Sequence, residues 1–389
     1  MLDNSKSKLS GREVAITAAV VLLGILGRLD AEEQLPPGFG AYPTPYYVIY
    51  TDLDLDTVRE AAARMTAMAE EYQARTRDFS GRIRSRLPFY LYSRPADYTA
   101  AGGIGDGMYA RGKLMAVGGR GATTWQVVQH EGFHQYVHSV ITSGLPTWVD
   151  EGLAEYFGVG VWTGDNFLTG VVPPERAKRV KQMIAAGHVV PFLDMLMMSP
   201  DQWNSTLVIR NYDQAWSMMH FLVHADDGRY RQAFSAFIMD VSKGHKWTEA
   251  FLARFGRDVD GFQKRYSEWW TSLAENPTAD RYTEATVLTL TSFLARSTAR
   301  RQAFADAAAF FAAARAGKLQ QDVEQWLPPG LLTGALAKAA EQQKWSLGAG
   351  KQPTLVLTRA DGTTFTGSFV LTAGRVTHVE VKVARPEPD

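Results

Sequence analysis

The chain has 389 residues, an apolar fraction of 46% and a charged fraction of 21%, the composition of a globular protein with a sizeable core, and its length suggests about two or three domains or one large two-lobed one. Its 41 basic and 41 acidic residues cancel, so there is no electrostatic case for a nucleic-acid binder. It contains no cysteine, which excludes disulfides, thiolate metal sites and cysteine nucleophiles; any metal site must be built from His, Asp or Glu.

Lys6, Lys8 and Arg12 precede an apolar run from Val14 to Gly27. Basic residues followed by an apolar stretch of this length have the form of a secretory signal, and the run is short for a bilayer span of about 20 residues. Leu29 stands where a cleavage site prefers a small residue. Residues 1–30 are therefore expected to be a signal peptide or an N-terminal membrane anchor, which would make the protein exported (periplasmic or extracellular) or membrane-attached. Residues 31–45, rich in Pro and Gly, read as a linker.

From Tyr46 onward the pattern is β-α-β-β-α. YYVIYT (46–51) and LPFYLY (87–92) read as strands, and Asp54 to Arg77 has helical periodicity. Met108 to Gly118 reads as a third strand with a hairpin break. A helix is expected from about Thr124 to Val140, then a turn leading into a second helix at Thr147. After Gly158 a short hairpin-like piece precedes mostly helical segments. From Thr354 to Val383, three β-runs are punctuated by Asp361-Gly362 and Ala373-Gly374. The fold class is α+β: a β-rich lobe, a helical lobe and a small C-terminal β-unit.

His130-Glu131-Gly132-Phe133-His134 fits H-E-x-x-H. On a helix, residues four apart share a face, so His130 and His134 can ligate one Zn²⁺ while Glu131 takes a proton from its water. His138 lies two further turns from His130, about 12 Å along the axis, too far to share the ion; it reads as a surface or outer-shell group. Glu151 and Glu155 follow on the next helix, again four apart. One can bind the metal and the other can orient a ligating histidine. His220 and His224 have the same spacing but no intervening Glu, and read as core or surface histidines.

H-E-x-x-H followed by W-x-x-E-G-x-A-E-Y (148–156) resembles the gluzincin zinc metallopeptidases, the thermolysin-like clan. Within it the chain is most similar to a bacterial, peptidase-MA-like group often labelled a domain of unknown function. The likeness runs from about residue 46 to 270. It implies a two-lobed thermolysin-like domain at 46–275, with a β-rich lobe at 46–125, active-site helices at 124–158 and a helical lobe at 159–275. A helical extension (276–350) and a β-unit (351–389) fall outside it. The resemblance makes His130, His134 and Glu151 the zinc ligands, Glu131 the base and Glu155 the group that steadies a ligand histidine. It matches Asn211-Tyr212-Asp213-Gln214-Ala215-Trp216 to a Y-x-Q-A-W segment, with Tyr212 as the electrophile. It also implies that 113–118 is the edge strand of the cleft, to which a peptide substrate can add. The expected function is zinc-dependent peptide hydrolysis; the alternative is a metal-binding envelope or scaffold protein of the same fold with little turnover.

Overall fold

Asp54 caps the first long helix by accepting a hydrogen bond from the Thr57 N–H at 2.9 Å. Helix α1 (Leu55–Thr76) then buries Val58, Ala61, Met65, Met68, Ala69, Tyr72 and Thr76, a stripe at three- and four-residue spacing. The computed structural model that shows this describes residues 35–118, 121–141, 144–206, 209–342 and 344–386. The leader or anchor expected at 1–30 lies outside those residues. Among the described residues no helix is long and apolar enough to cross a membrane.

Beneath α1 lies a five-stranded sheet of β1 (Gly40–Pro43), β2 (Tyr47–Thr51), β3 (Leu87–Tyr92), β4 (Gly107–Ala110) and β5 (Lys113–Val117), in the order β1-β2-β3-β5-β4. β2, β3 and β5 run parallel; β1 and β4 flank them antiparallel. Two expectations change here. Gly40–Pro43 is a strand inside the stretch read as a linker, because its backbone pairs with β2 despite the surrounding Pro and Gly. The edge strand is β4, not 113–118. The turn at Arg111 (φ 52°) and Gly112 (φ 80°) folds β4 to the outside, and β5 slots between β4 and β3. A short helix, α2 (Pro95–Ala100), links β3 to β4.

The histidine-rich segment is α3 (Ala122–Val140) and the Glu-bearing one is α4 (Thr147–Gly158). An aromatic cluster locks them to α1: Tyr72, Phe133 and Phe157 stand 4.8–5.4 Å apart, centroid to centroid. Gln129 ties α3 to the end of α4 by donating to the carbonyls of Gly158 at 2.8 Å and Gly160 at 3.0 Å. Gly132 is tight because a neighbour approaches it: an added Cβ would meet Met68 Cε at 3.3 Å.

The small hairpin β6 (Val161–Trp162) and β7 (Phe167–Leu168) leads into the helical lobe. That lobe holds α5 (Pro174–Ala185), α6 (Phe192–Met197), α7 (Pro200–Thr206), α8 (Ile209–His224), α9 (Arg231–Ser242), α10 (Trp247–Phe255) and α11 (Val259–Ser272). Next come α12 (Ala279–Ala299), α13 (Ala307–Arg315) and α14 (Pro329–Ala340). The C-terminal unit is an antiparallel sheet of β8 (Lys344–Gly348), β9 (Thr354–Thr358), β10 (Thr364–Thr372) and β11 (Arg375–Ala384), in the order β11-β10-β9-β8. It has four strands where three β-runs were expected; β8 is short and carries little strand signal. The sheet packs on α12 at Gly367, where a Cβ would stand 2.0 Å from Thr291 Oγ1.

Candidate metal centre

Helix geometry sets the site. His130 and His134 project from one face of α3 toward Glu151 on α4. His130 Nε2 and His134 Nε2 are 3.2 Å apart, and Glu151 Oε2 stands 3.4 Å from the first and 3.6 Å from the second. Tetrahedral coordination at about 2.0–2.1 Å places ligand atoms about 3.3–3.4 Å from one another, so the three atoms already outline one face of such a polyhedron. Glu151 Oε2 is buried and has no hydrogen-bond partner, an arrangement costly for a carboxylate oxygen and natural for a metal ligand. His130, His134 and Glu151 can therefore hold a metal ion.

Both imidazoles are turned the right way for this. His130 Nδ1 faces Glu155 Oε1 at 3.2 Å, and His134 Nδ1 faces Asp150 Oδ1 at 3.1 Å. A carboxylate at Nδ1 keeps a proton there and leaves the Nε2 lone pair for a metal. Glu155 takes the orienting position expected of it. Asp150 was not singled out by the sequence, although it directly precedes Glu151. His138 reaches the other oxygen of Asp150 at 3.3 Å, as an outer partner of the site.

Burial lowers the His130 pKa, but Glu151 and Glu155 outweigh it and leave it at about 9 without metal. His134 is likewise raised, the push of burial being overcome by Asp150 and Glu151. Glu155 is opposed by burial yet held at about 2 by His130 and Arg176. Glu131 is raised by burial, against the pull of His130 and His134. Its Oε2 accepts a hydrogen bond from the Tyr109 N–H at 2.8 Å, so the edge strand β4 touches the expected base. That contact depends on Gly107, whose added Cβ would stand 2.6 Å from Val127 Cγ1 of α3.

Tyr212, on α8, is half-buried with its ring 6.5 Å from that of His130 and packed on Trp203 at 5.1 Å. Burial and the nearby Glu151 raise its pKa. It belongs to the wall of the same site. His220 and His224 do not: they pack against Tyr156 at 4.9 Å and 5.9 Å, and His224 Nε2 lies 3.0 Å from the Tyr156 hydroxyl. Burial pushes both toward the neutral form.

A second group missed by the sequence stands behind Glu155. Arg176 of α5 places Nη1 2.5 Å from Glu155 Oε2 and Nε 2.8 Å from Asp213 Oδ1. Nothing in the surrounding ERAKRVK marks this residue as buried; only the tertiary fold brings it here.

Residues 124–245 match a family model described as "Protein of unknown function (DUF1570)". The matched segment contains both motifs and Tyr212. No curated protein matches the chain.

Proposed function

We propose that the protein is a zinc-dependent hydrolase of peptide bonds. The observation that carries this reading is the convergence of His130 Nε2, His134 Nε2 and Glu151 Oε2 with Glu131 one residue along the same helix. The donor set of two imidazoles and one carboxylate suits Zn²⁺ with an open fourth position. When bound, the ion supplies Lewis acidity, making water nucleophilic at neutral pH and polarising a carbonyl. Glu131 takes the proton from that water and returns it to the leaving amine. Its carboxylate is held by the Tyr109 N–H. Tyr212 faces the site from the helical lobe and donates to the developing oxyanion. β4, at the sheet edge beside Glu131, favours an extended substrate such as a peptide or unfolded protein segment. Export or membrane anchoring through residues 1–30 is part of the same proposal and rests on the basic-then-apolar order of that segment.

The test is a peptide-library digest by the zinc-loaded chain, with and without chelator, beside Glu131→Gln. Cleavage is expected to require metal and to fall by about 10²–10⁴-fold in the variant, while the variant keeps its zinc. A zinc-loaded wild type that cleaves nothing would instead leave a metal-binding scaffold.

A further inference from the structure

We propose that Arg176 and Asp213 are positioning residues for the metal centre, fixing His130 through Glu155 and tying that brace to the segment of α8 that carries Tyr212. This rests on the metal-site reading above.

The geometry is a chain of alternating charges leading away from the ligand. Glu155 divides its oxygens, Oε1 toward His130 and Oε2 toward Arg176. Arg176, only 7% exposed, therefore selects the carboxylate rotamer that meets the imidazole. Its Nε reaches Asp213 Oδ1 at 2.8 Å, and its guanidinium lies 4.6 Å over the Trp216 ring. Asp213 is gripped from its other side by Arg179, which donates from Nε at 2.6 Å and Nη2 at 2.9 Å. Three helices, α4, α5 and α8, thus meet at one guanidinium. The guanidinium hydrogen-bonds one carboxylate through Nη1, pairs by charge with a second beside Nε and lies over a ring at once, a combination that suits arginine and not lysine.

A buried ion network is a weak source of stability, because desolvation offsets the attraction. Its rigidity serves placement instead. Groups beyond the ligands hold ligand rings in the productive orientation, and their loss weakens metal binding. Here the same network also sets the position of residue 213, and hence of its neighbour Tyr212, relative to His130.

The full chain is loaded with cobalt(II), whose visible absorption reports coordination geometry, and its affinity is measured by competition with a chelator. Arg176→Met is expected to weaken cobalt binding about tenfold and to change the visible bands. Arg176→Lys, which keeps the charge but reaches one carboxylate, should fall between. Asp213→Asn should change the bands with a smaller loss of affinity. A folded Arg176→Met with wild-type affinity and spectrum overturns the proposal. If that variant does not fold, unchanged spectra in both Arg176→Lys and Asp213→Asn overturn it. A wild type that binds no cobalt removes the metal-centre reading itself, and this proposal with it.

Discussion

Tyr212 sits where a single atom decides between two roles. As a packing residue it contributes its ring against Trp203, and Tyr212→Phe would keep that contact. As an oxyanion donor it contributes its hydroxyl, and the same substitution should lower kcat by about 10²–10³-fold, the cost typical of removing one such donor. KM and zinc content should stay near wild type. Turnover and metal analysis of Tyr212→Phe separate the two, and an unchanged kcat would leave Tyr212 a wall of the site. At this scale much of the centre could be read from motif spacing. Four-residue spacing paired His130 with His134, the eight-residue distance from His130 set His138 aside, and the structure places all three accordingly. The two glutamates left open which was ligand; the distances put Glu151 against the Nε2 atoms and Glu155 against Nδ1 of His130. Asp150 was legible in principle, as an acidic residue beside a ligand. Arg176 and the Tyr109 N–H were not, because neither lies near the motifs in sequence.

Among the elements, the crossing of α4 and α8 places Glu151. It is close because Gly152 lacks a side chain: an added Cβ would stand 2.8 Å from the Ala215 carbonyl oxygen and 2.8 Å from Met219 Cγ. Alanine would gain about 1 kcal/mol of helix propensity over glycine. The obstructing oxygen belongs to a helix backbone and cannot swing away, and forced overpacking costs about 1–3 kcal/mol. Gly152→Ala is therefore expected to be net destabilising by up to about 2 kcal/mol, seen as a lower urea midpoint. Zinc affinity should drop with it, since the neighbouring Glu151 moves. A midpoint equal to or above wild type would mean that α4 and α8 can separate without loss. The helices themselves were legible because their apolar periodicity is strong, and α1 and α3 fall within two residues of expectation. Strand order was not. Nothing local to KLMAV says that it lies between β3 and β4 and not at the edge; that follows from where the Arg111–Gly112 turn throws β4. β1 was hidden by its composition, since an edge strand needs only half of its backbone paired.

For the whole molecule, the centre makes stability depend on pH in opposite senses with and without metal. Without metal, the folded-state pKa of His130 is about 9, the effect of burial being outweighed by Glu151 and Glu155, against about 6.5 in the unfolded chain. His134 is raised as well. The folded chain then holds protons that the unfolded chain has lost, so this contribution is complete below about pH 6.5 and disappears as pH rises through about 9. The carboxylates act at the other end. Glu155, held at about 2 by His130 and Arg176 against the effect of burial, and Asp150, held low chiefly by His134 against the same penalty, contribute stability above the usual carboxylate range of about 4–4.5 that is lost as pH falls toward 2. His220 and His224, which burial holds in the neutral form, take stability away as pH falls below about 6.5, so the metal-free protein should be most stable near pH 6.5 and lose stability toward pH 9. Metal reverses the upper limb. Ligation requires neutral imidazoles, so zinc competes with the same protons and binds more tightly as pH rises, and tighter binding to the folded state raises stability by mass action. Urea midpoints measured from about pH 6 to 9 should fall in chelator and hold or rise in excess zinc, so the two curves diverge. Parallel curves across that window would mean that the ion, if it binds, does not displace protons from His130 and His134, and the ligand set would have to be sought elsewhere.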